Sequence, residues 1–343
     1  MANLGTVSSG PLRAAYSTIE GKELGDFIAS AYPFDSAFEC SLLSRGFNDV
    51  YSLRFVDGRR NIARLSSRRA RGEANVAYET SLLSHLKTLG ADVAAPLRTR
   101  TGDLSIEVDA PEGRRSLVVF EFLAGEPPGI VLQDIKAMAA GLANIHRLAQ
   151  SYSGPASKYV LDLQHLVSRP LQRLLKHSSM DEILAGRLKS IAADLIAKIE
   201  ATTQLTMVAC HGDCHGGNTF MTESSDGNRI ASFFDFDDGG PGYLAYDLAV
   251  YLWASLLNSK DLEPGAEERE RWMCFIDGYR ASSPLSSNDF AAIALFVSAR
   301  HFWFLGEYAS RSDEWGSAAL PPKWLQKQVD KLDRWRTLET PAS

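Results

Sequence analysis

Cysteine is scarce in this chain, with four residues among 343. Small disulfide-bonded domains are far richer in cysteine, so the sequence excludes a disulfide framework. Long apolar runs are also missing, and none approaches the roughly 20 residues that span a bilayer. The best candidate, residues 291–306, carries Arg300 and His301 in its middle. We therefore expect no membrane contact and predict a buried helix over that segment.

Positive charge is in deficit, because 36 Lys and Arg residues stand against 42 Asp and Glu, which gives a net charge of −6. Nucleic-acid-binding proteins usually carry an excess of positive charge, so we expect no nucleic-acid partner. The first residues lack the apolar core and cleavage site of a signal peptide, which predicts a cytoplasmic protein. No feature of the sequence indicates an oligomeric state.

The composition is that of an ordinary globular protein, with 45% hydrophobic and 23% charged residues. Strand-like alternation dominates the first third of the chain, and a typical hairpin pair, Asp57-Gly58, separates two such segments. A helix is predicted over residues 73–89, after the third strand. An extension over residues 1–35, with one short helix, precedes the sheet. The strand-like segments are residues 42–43, 50–55, 62–65, 104–108 and 117–122.

A Gly- and Pro-rich break at residues 125–129 separates this sheet from a mainly helical remainder. One exception, residues 205–236, has a strand, a polar loop and a second strand. The pattern predicts an α+β protein with an N-terminal lobe at residues 1–124 and a larger helical lobe at 125–343. Helical spacing covers residues 134–150, 180–200 and much of the chain after 246.

The densest polar cluster lies at residues 210–218 and contains two Cys, two His and Asp213. A zinc site is disfavoured because neighbours on one short loop rarely converge on one ion. A cysteine nucleophile is disfavoured because Cys214 and His215 are adjacent, and such pairs normally come from distant segments. A calcium loop starting at Asp235 fails, because its glycine is fifth rather than sixth and its twelfth residue is Tyr246.

Phosphoryl transfer fits the cluster better than any of these. That chemistry needs a carboxylate near the acceptor hydroxyl, together with amide and carboxylate oxygens that hold Mg²⁺ on the triphosphate. Asp213, Asn218 five residues later and Asp235 beyond a hairpin supply this set in the order found in kinases.

The segment HGDCHGGN at residues 211–218, with FDFDD at 234–238 and DLA at 247–249, resembles the aminoglycoside phosphotransferase family. That family also includes choline kinases, one type of homoserine kinase and a stress-response Ser/Thr kinase. The resemblance covers roughly residues 40 to 310. It implies the bilobal protein-kinase-like fold and the use of ATP and Mg²⁺.

Matching the family's nucleotide-binding positions assigns a phosphate-covering loop to Gly46 and Asn48. The segment has a single glycine where protein kinases have three. Glu121 and Leu123 match the hinge, where backbone groups would bind adenine. Arg64 stands where a lysine usually contacts the α- and β-phosphates. An arginine there keeps the charge but presents a planar fork.

Glu79 matches the helix glutamate that pairs with this basic residue, and Glu73 is the alternative. In the catalytic loop the resemblance implies that Asp213 is the catalytic residue and that Asn218 and Asp235 hold Mg²⁺. His211, Asp247 and His146 are expected to be structural. Asp237 and Asp238 stay ambiguous, since one could join the metal site and the other could cap a helix near Tyr243.

The acceptor pocket of relatives lies in the helical lobe, where this chain offers aromatic and charged residues that could hold a cationic amine. Tryptophans at helical spacing are more often core residues, and for each of them the core is the favoured interpretation. We predict a kinase for a small amine-bearing hydroxyl compound, such as an aminoglycoside, an amino alcohol or a homoserine-like molecule. The alternatives are a stress-response-type Ser/Thr protein kinase and a pseudokinase that regulates a partner. The aromatic and charged residues considered for the acceptor pocket are Tyr243, Tyr246, Trp253, Arg300, Trp303, Glu307 and Trp315.

Overall fold

An antiparallel sheet of five strands forms the N-terminal part of the protein. The structure is a computed structural model that describes residues 14–67, 75–257, 259 and 262–342. The strand order is β1-β2-β3-β5-β4, and every neighbouring pair is antiparallel, which confirms the predicted sheet. The strands are β1 (Phe38–Arg45), β2 (Asp49–Phe55), β3 (Arg60–Leu65), β4 (Ile106–Ala110) and β5 (Gly113–Glu121).

Two helices accompany this sheet. Helix α1 (Gly21–Ala31) precedes β1 and buries Leu24 and Ile28 against the sheet. Helix α2 (Val76–Thr88) follows β3, as predicted. The predicted start of α2 at residues 73–74, including Glu73, lies outside the described residues, as does the start of the N-terminal extension.

The alternation along β3 decides where Arg64 points. Ala63 and Leu65 face a small core beneath the sheet, together with Tyr51 and Leu53. Because successive side chains of a strand point to opposite faces, Arg64 lies on the other face. That face borders the remainder of the protein.

The remainder is mainly helical, with two short strand pairs inserted. Strand β5 ends at Glu121 and α3 begins at Leu132. The helices are α3 (Leu132–Ala149), α4 (Arg169–Leu175), α5 (Glu182–Ala201), α6 (Leu244–Leu257), α7 (Ala266–Arg280), α8 (Ser287–Ala309), α9 (Ser312–Trp315) and α10 (Pro322–Trp335). The paired strands are β6 (Met207–Cys210) with β9 (Gly240–Tyr243) and β7 (Thr219–Glu223) with β8 (Arg229–Phe233).

Helix α8 contains the segment predicted to be a buried helix. Its Arg300 and His301 are both buried within the large helical core. Across the described ranges, no helix is both long and apolar enough to cross a membrane.

Candidate active site

A cleft of about 490 Å³ lies between the sheet and the helical part. Its walls combine flat apolar side chains, such as Phe120 and Phe234, with the charged groups of the polar loops. Such a pocket, apolar with a few convergent polar groups, is typical of ligand sites. Eight of the nine predicted site residues line it: Gly46, Asn48, Arg64, Glu121, Leu123, Asp213, Asn218 and Asp235.

Asp247 organises the loop that carries Asp213. Its fully buried carboxylate accepts hydrogen bonds from the backbone N–H groups of His211 and Gly212, both at 2.8 Å. It also lies 2.8 Å from Nε2 of His146. Helix α6 thus holds the start of the loop through the Asp247 carboxylate. Hydrogen bonds from backbone amides to an ionised carboxylate are stronger than those to a neutral acceptor. His146 and Asp247 occupy the buried, bracing positions that were expected of them.

Local backbone geometry requires Gly212 at the tip of this turn. Its φ of +84° lies in the left-handed region that favours glycine. A Cβ there would also overlap the carbonyl oxygen of Asp238. Next to it, burial lowers the pKa of His211, whose ring bridges the carbonyl of Phe234 (3.1 Å) and the backbone N–H of Asp213 (3.3 Å).

Asp213 contacts Arg300 and Asn218, and Nε2 of His215 lies 3.5 Å from its Oδ2. Arg300 of α8 forms an ion pair with its Oδ1, while Nδ2 of Asn218 donates to its Oδ2 at 3.1 Å. Burial alone would raise the pKa of Asp213, but the Arg300 guanidinium and the imidazoles of His215 and His211 outweigh it and hold the pKa well below its usual range. The carboxylate is therefore ionised at neutral pH and is a weak base.

Asn218 and Asp235 face the cleft from two adjoining segments. The amide nitrogen of Asn218 donates to Asp213, which makes its Oδ1 the atom that could bind a cation. Asp235 has a left-handed φ of +62°, and its side chain is 46% exposed to the cleft. Burial in the wall of the cleft raises the pKa of Asp235, and the nearby carboxylates of Asp237 and Asp238 raise it further. The Arg64 guanidinium offsets this rise only in part.

Oδ1 of Asn218 and the carboxylate of Asp235 suit Mg²⁺, which takes one or two protein ligands and completes its shell with phosphate and water. Among the ranges described above, no three His, Cys, Asp or Glu side chains converge as a metal cage.

Arg64 links the sheet to the polar loops. Its guanidinium forms a bidentate pair with Glu79 of α2, at 2.8 Å for Nη1, and Nη1 also lies 3.3 Å from Asp235 Oδ1. Both Arg64 and Glu79 are buried, so Glu79 stands behind Arg64 rather than in the cleft wall. The structure thus brings together three of the predicted site residues from β3, α2 and the loop after β8.

The remaining predicted nucleotide-binding residues lie around the cleft entrance. The Asn48 side chain is engaged by protein, since it donates to Asp237 at 2.9 Å and accepts from the Ser67 backbone at 3.1 Å. Any contact of Asn48 with a phosphate therefore falls to its backbone. At the predicted hinge, the N–H of Glu121 donates to the carbonyl of Ala95 at 2.9 Å, so this N–H is already used within the protein.

Neither cysteine of the cluster is suited to act as a thiolate. Cys210 and Cys214 are fully buried, and burial raises the pKa of both thiols well above the usual value. A thiolate is the form that attacks carbon or binds zinc. The chemistry of this loop therefore falls to its oxygen atoms.

The residues considered for an amine pocket are mostly core. Trp253 and Trp303 are both 4% exposed, and Tyr246 and Glu307 are buried as well. Their aromatic faces are already occupied, because the Arg300 guanidinium lies 4.9 Å from the Trp253 ring and 4.2 Å from the Trp303 ring. Trp253 and Trp303 therefore do not line an open pocket for an amine. The cation that packs against their rings is the protein's own Arg300.

Sequence reasoning also missed a contact that ties the loop at Gly46 to the helical part. The ring of Phe47 packs against Tyr308 (5.9 Å) and Trp315 (5.3 Å). Arg311 donates to the Phe47 carbonyl at 3.1 Å and to Ser67 Oγ at 3.0 Å. The loop is thereby held down over the cleft. Spacing carries no signal for this, because Phe47 and Arg311 lie 264 positions apart.

If the cleft binds ATP, as the sequence predicts, replacing Phe47 by alanine is expected to raise the KM for ATP about five- to tenfold, with kcat changed less. Two aromatic contacts, each worth about 0.5–1.5 kcal/mol, then no longer stabilise the closed loop. Steady-state kinetics measure the effect, and Phe27→Ala, at a half-exposed position on α1, is the matched control. An unchanged KM in Phe47→Ala would contradict a role for this contact in holding nucleotide.

Comparison with known proteins places these features in a family context. A model of a phosphotransferase enzyme family, abbreviated APH, matches residues 39–285. An uncharacterized protein of Deinococcus radiodurans is 33% identical over 328 residues, covering 94% of this chain and 92% of that protein. A homoserine kinase of Paramagnetospirillum magneticum is 25% identical over 343 residues, covering 95% of each.

Solved structures show the same fold. A microcompartment-associated aminopropanol kinase superposes with a TM-score of 0.70 at 21% identity, over 92% of this chain and 95% of that chain. An amicoumacin kinase in complex with AMP-PNP, Ca²⁺ and Ami superposes with a TM-score of 0.71 at 18% identity, over 91% and 94%. The predicted α+β, protein-kinase-like fold is confirmed.

Proposed function

The chain belongs to the phosphotransferase enzyme family, and on that basis we propose that it transfers the γ-phosphoryl group of ATP, with Mg²⁺, to the hydroxyl of a small amine-bearing molecule. It is an enzyme, a phosphotransferase with an alcohol group as acceptor. ATP, Mg²⁺ and the amine are the parts of this statement that we propose.

One observation supports the proposal above all others. Asp213, Asn218 and Asp235 line a single cleft together with Arg64, although they come from separate segments of the chain. Phosphoryl transfer depends on positioning and on charge stabilisation, and this set supplies a carboxylate for the acceptor and oxygens for a cation. The amicoumacin kinase of the same fold was solved with an ATP analogue and a divalent cation.

In this proposal the sheet side of the cleft binds the nucleotide. The backbone at Glu121 and Leu123 meets the adenine, and the loop at Gly46 and Asn48 covers the phosphates. Arg64 holds the α- and β-phosphates, and its bidentate pair with Glu79 fixes the guanidinium in place. Residues 1–124 then act as the nucleotide-binding lobe and residues 125–343 as the catalytic and acceptor-binding lobe.

The loops after β6 and β8 carry the chemistry in this proposal. Asn218 and Asp235 would hold Mg²⁺, and that ion would neutralise charge on the phosphates. Asp213 orients the acceptor hydroxyl and takes its proton as the acceptor oxygen bonds to the γ-phosphorus, while the bond from that phosphorus to the bridging oxygen breaks and ADP leaves. A carboxylate with a lowered pKa is a weak base, which suits a loose transition state in which the proton leaves late.

An amine on the acceptor is supported by the carboxylates of the cleft and by the names of relatives. Besides Asp213 and Asp235, which the reaction and Mg²⁺ would use, Asp238 also lines the cleft, and its negative charge favours a cationic group on the acceptor. Homoserine and aminopropanol, named for two of the similar proteins, each combine a hydroxyl with an amine. These observations support our proposal that the acceptor is a small amino alcohol or a related molecule.

A panel of acceptors tests the proposal. ADP release from ATP and Mg²⁺ is measured with homoserine, aminopropanol, choline and an aminoglycoside, each against a matched alcohol that lacks the amine. We expect one amine-bearing compound to be turned over at least about tenfold faster than its amine-free partner, the discrimination that one charged contact supplies. Chelation with EDTA should abolish this turnover, and added Mg²⁺ should restore it.

Three results would contradict parts of the proposal. Turnover that survives EDTA would overturn the metal assignment of Asn218 and Asp235. Phosphate transfer to an added protein, with no small acceptor used, would indicate a Ser/Thr protein kinase. Binding of ATP without any turnover would indicate a pseudokinase.

A further inference from the structure

Arg300 is a buried cation in the middle of the apolar helix α8. Its side chain is 3% exposed, and burying a guanidinium is costly unless its charge and its donors are satisfied. Replacing such ion pairs by apolar residues is often neutral or stabilising. Fold stability alone therefore gives a weak reason for an arginine at this position.

The contacts of Arg300 converge on the loop that carries Asp213. One terminal nitrogen, Nη2, pairs with Oδ1 of Asp213. The other, Nη1, donates to the carbonyl of Gly212 at 3.2 Å and to the hydroxyl of Tyr246 at 3.3 Å. The guanidinium thus spans the backbone of one loop residue and the side chain of the next.

Aromatic rings fix the plane of this guanidinium. Trp303 of the same helix lies 4.2 Å from it and Trp253 of α6 lies 4.9 Å from it. Trp253 is itself fixed by a 3.1 Å hydrogen bond from its indole N–H to His301. An arginine stacked in this way has a single orientation available, unlike a lysine, whose ammonium is a flexible point charge.

We propose that Arg300 is a positioning residue, which sets the orientation of the Asp213 carboxylate for the acceptor hydroxyl. With Oδ1 held by Arg300, Oδ2 is the oxygen on the opposite side, where the Asn218 amide lies at 3.1 Å and Nε2 of His215 at 3.5 Å. This inference rests on the proposed function, in which Asp213 orients the acceptor. Arg300, held by Trp253 and Trp303, then affects the reaction through Asp213 and does not bind the acceptor directly.

The test compares Arg300→Ala and Arg300→Lys with the wild type. For Arg300→Ala we expect kcat to fall about a hundredfold, the cost of misplacing a reacting group by about 1 Å. The KM for ATP should stay within about twofold, because Arg300 touches no residue of the nucleotide side. Millimolar guanidinium should occupy the space between the two indoles and restore kcat at least severalfold. Arg300→Lys should remain poorly active, because an ammonium cannot reproduce the fork.

Arg173→Ala is the matched control. Arg173 of α4 pairs at 2.8 Å with the buried Glu307 on the same helix α8, two turns after Arg300. Its loss should lower the melting temperature but leave kcat unchanged and unresponsive to guanidinium. If Arg300→Ala behaves in the same way, Arg300 is merely structural and the inference is overturned.

The proposed acceptor class and the positioning role of Arg300 are contradicted by different results. If no acceptor of the panel is used by the wild type, the proposed acceptor class fails, and the Arg300 variants are then compared by their slow ATP hydrolysis, with water as the acceptor. A kcat for hydrolysis that is lost in Arg300→Ala and recovered with guanidinium would still support the positioning role. An unchanged kcat would overturn it.

Discussion

Replacing Asp213 by asparagine is expected to lower kcat on the order of a thousandfold, within the range of 10²–10⁴ associated with a positioned proton acceptor. The side chain keeps its shape, but the amide cannot take the proton of the acceptor hydroxyl. Because the amide oxygen can still accept from Arg300, the fold and the nucleotide site should persist. Steady-state kinetics with the best acceptor of the panel measure the loss.

The control for this prediction is Asp226→Asn in the exposed turn between β7 and β8, where the carboxylate accepts hydrogen bonds from Ser224 and Asn228 of the same turn. Its kcat should equal that of the wild type. Binding of a non-hydrolysable ATP analogue to Asp213→Asn should stay within about threefold, a difference of under 1 kcal/mol. Retained turnover in Asp213→Asn would remove Asp213 from the reaction and would point to another proton acceptor.

Replacing Asp247 by alanine is expected to have the largest effect on stability, about 3–5 kcal/mol. The substitution leaves the backbone N–H groups of His211 and Gly212 buried without their acceptor, and each such loss costs about 1–3 kcal/mol. His146 loses its carboxylate partner as well. Urea unfolding measures the change, and activity should fall with it, because the loop that carries Asp213 is no longer gripped by α6.

Asp181→Ala offers a matched comparison for this prediction. Asp181 also accepts a 2.8 Å hydrogen bond from a backbone N–H, that of Leu184, but at the exposed start of α5. Its loss should cost about 1 kcal/mol, as is usual for a helix N-cap, and should leave kcat unchanged. If Asp247→Ala were no more destabilising than Asp181→Ala, the buried carboxylate would not be what holds the loop.

The acceptor pocket shows why a composition argument can mislead. Trp253, Trp303 and Glu307 have the residue types of an amine site, and helical spacing cannot tell a cleft wall from a core. The structure buries all three and fills the aromatic faces with Arg300. One signal was available in the sequence, since a charged residue in the middle of an apolar helix must have a partner.

The chain by itself determined which chemistry is present and in what order. Alternation in the first third and helical spacing afterwards predicted the α+β architecture, because the periods of strand and helix are local properties. The scarcity of cysteine and of positive charge argued against a disulfide framework and against a nucleic-acid partner. The order of Asp213, Asn218 and Asp235 indicated phosphoryl transfer, because the residue types of a site and their spacing can be read directly from the sequence.

Tertiary structure alone decided which groups face one another. Asp213 meets Arg300 across 87 positions, and Asn48 meets Asp237 across 189. No local pattern encodes such pairs, because they depend on how helices and sheet pack rather than on the residues next to them. The partner of Arg300 follows the same logic: the sequence predicted a buried helix around Arg300 but left open whether the residue served the core or an acceptor pocket. The packing of α6 against α8 places its guanidinium against two indoles and beside Asp213.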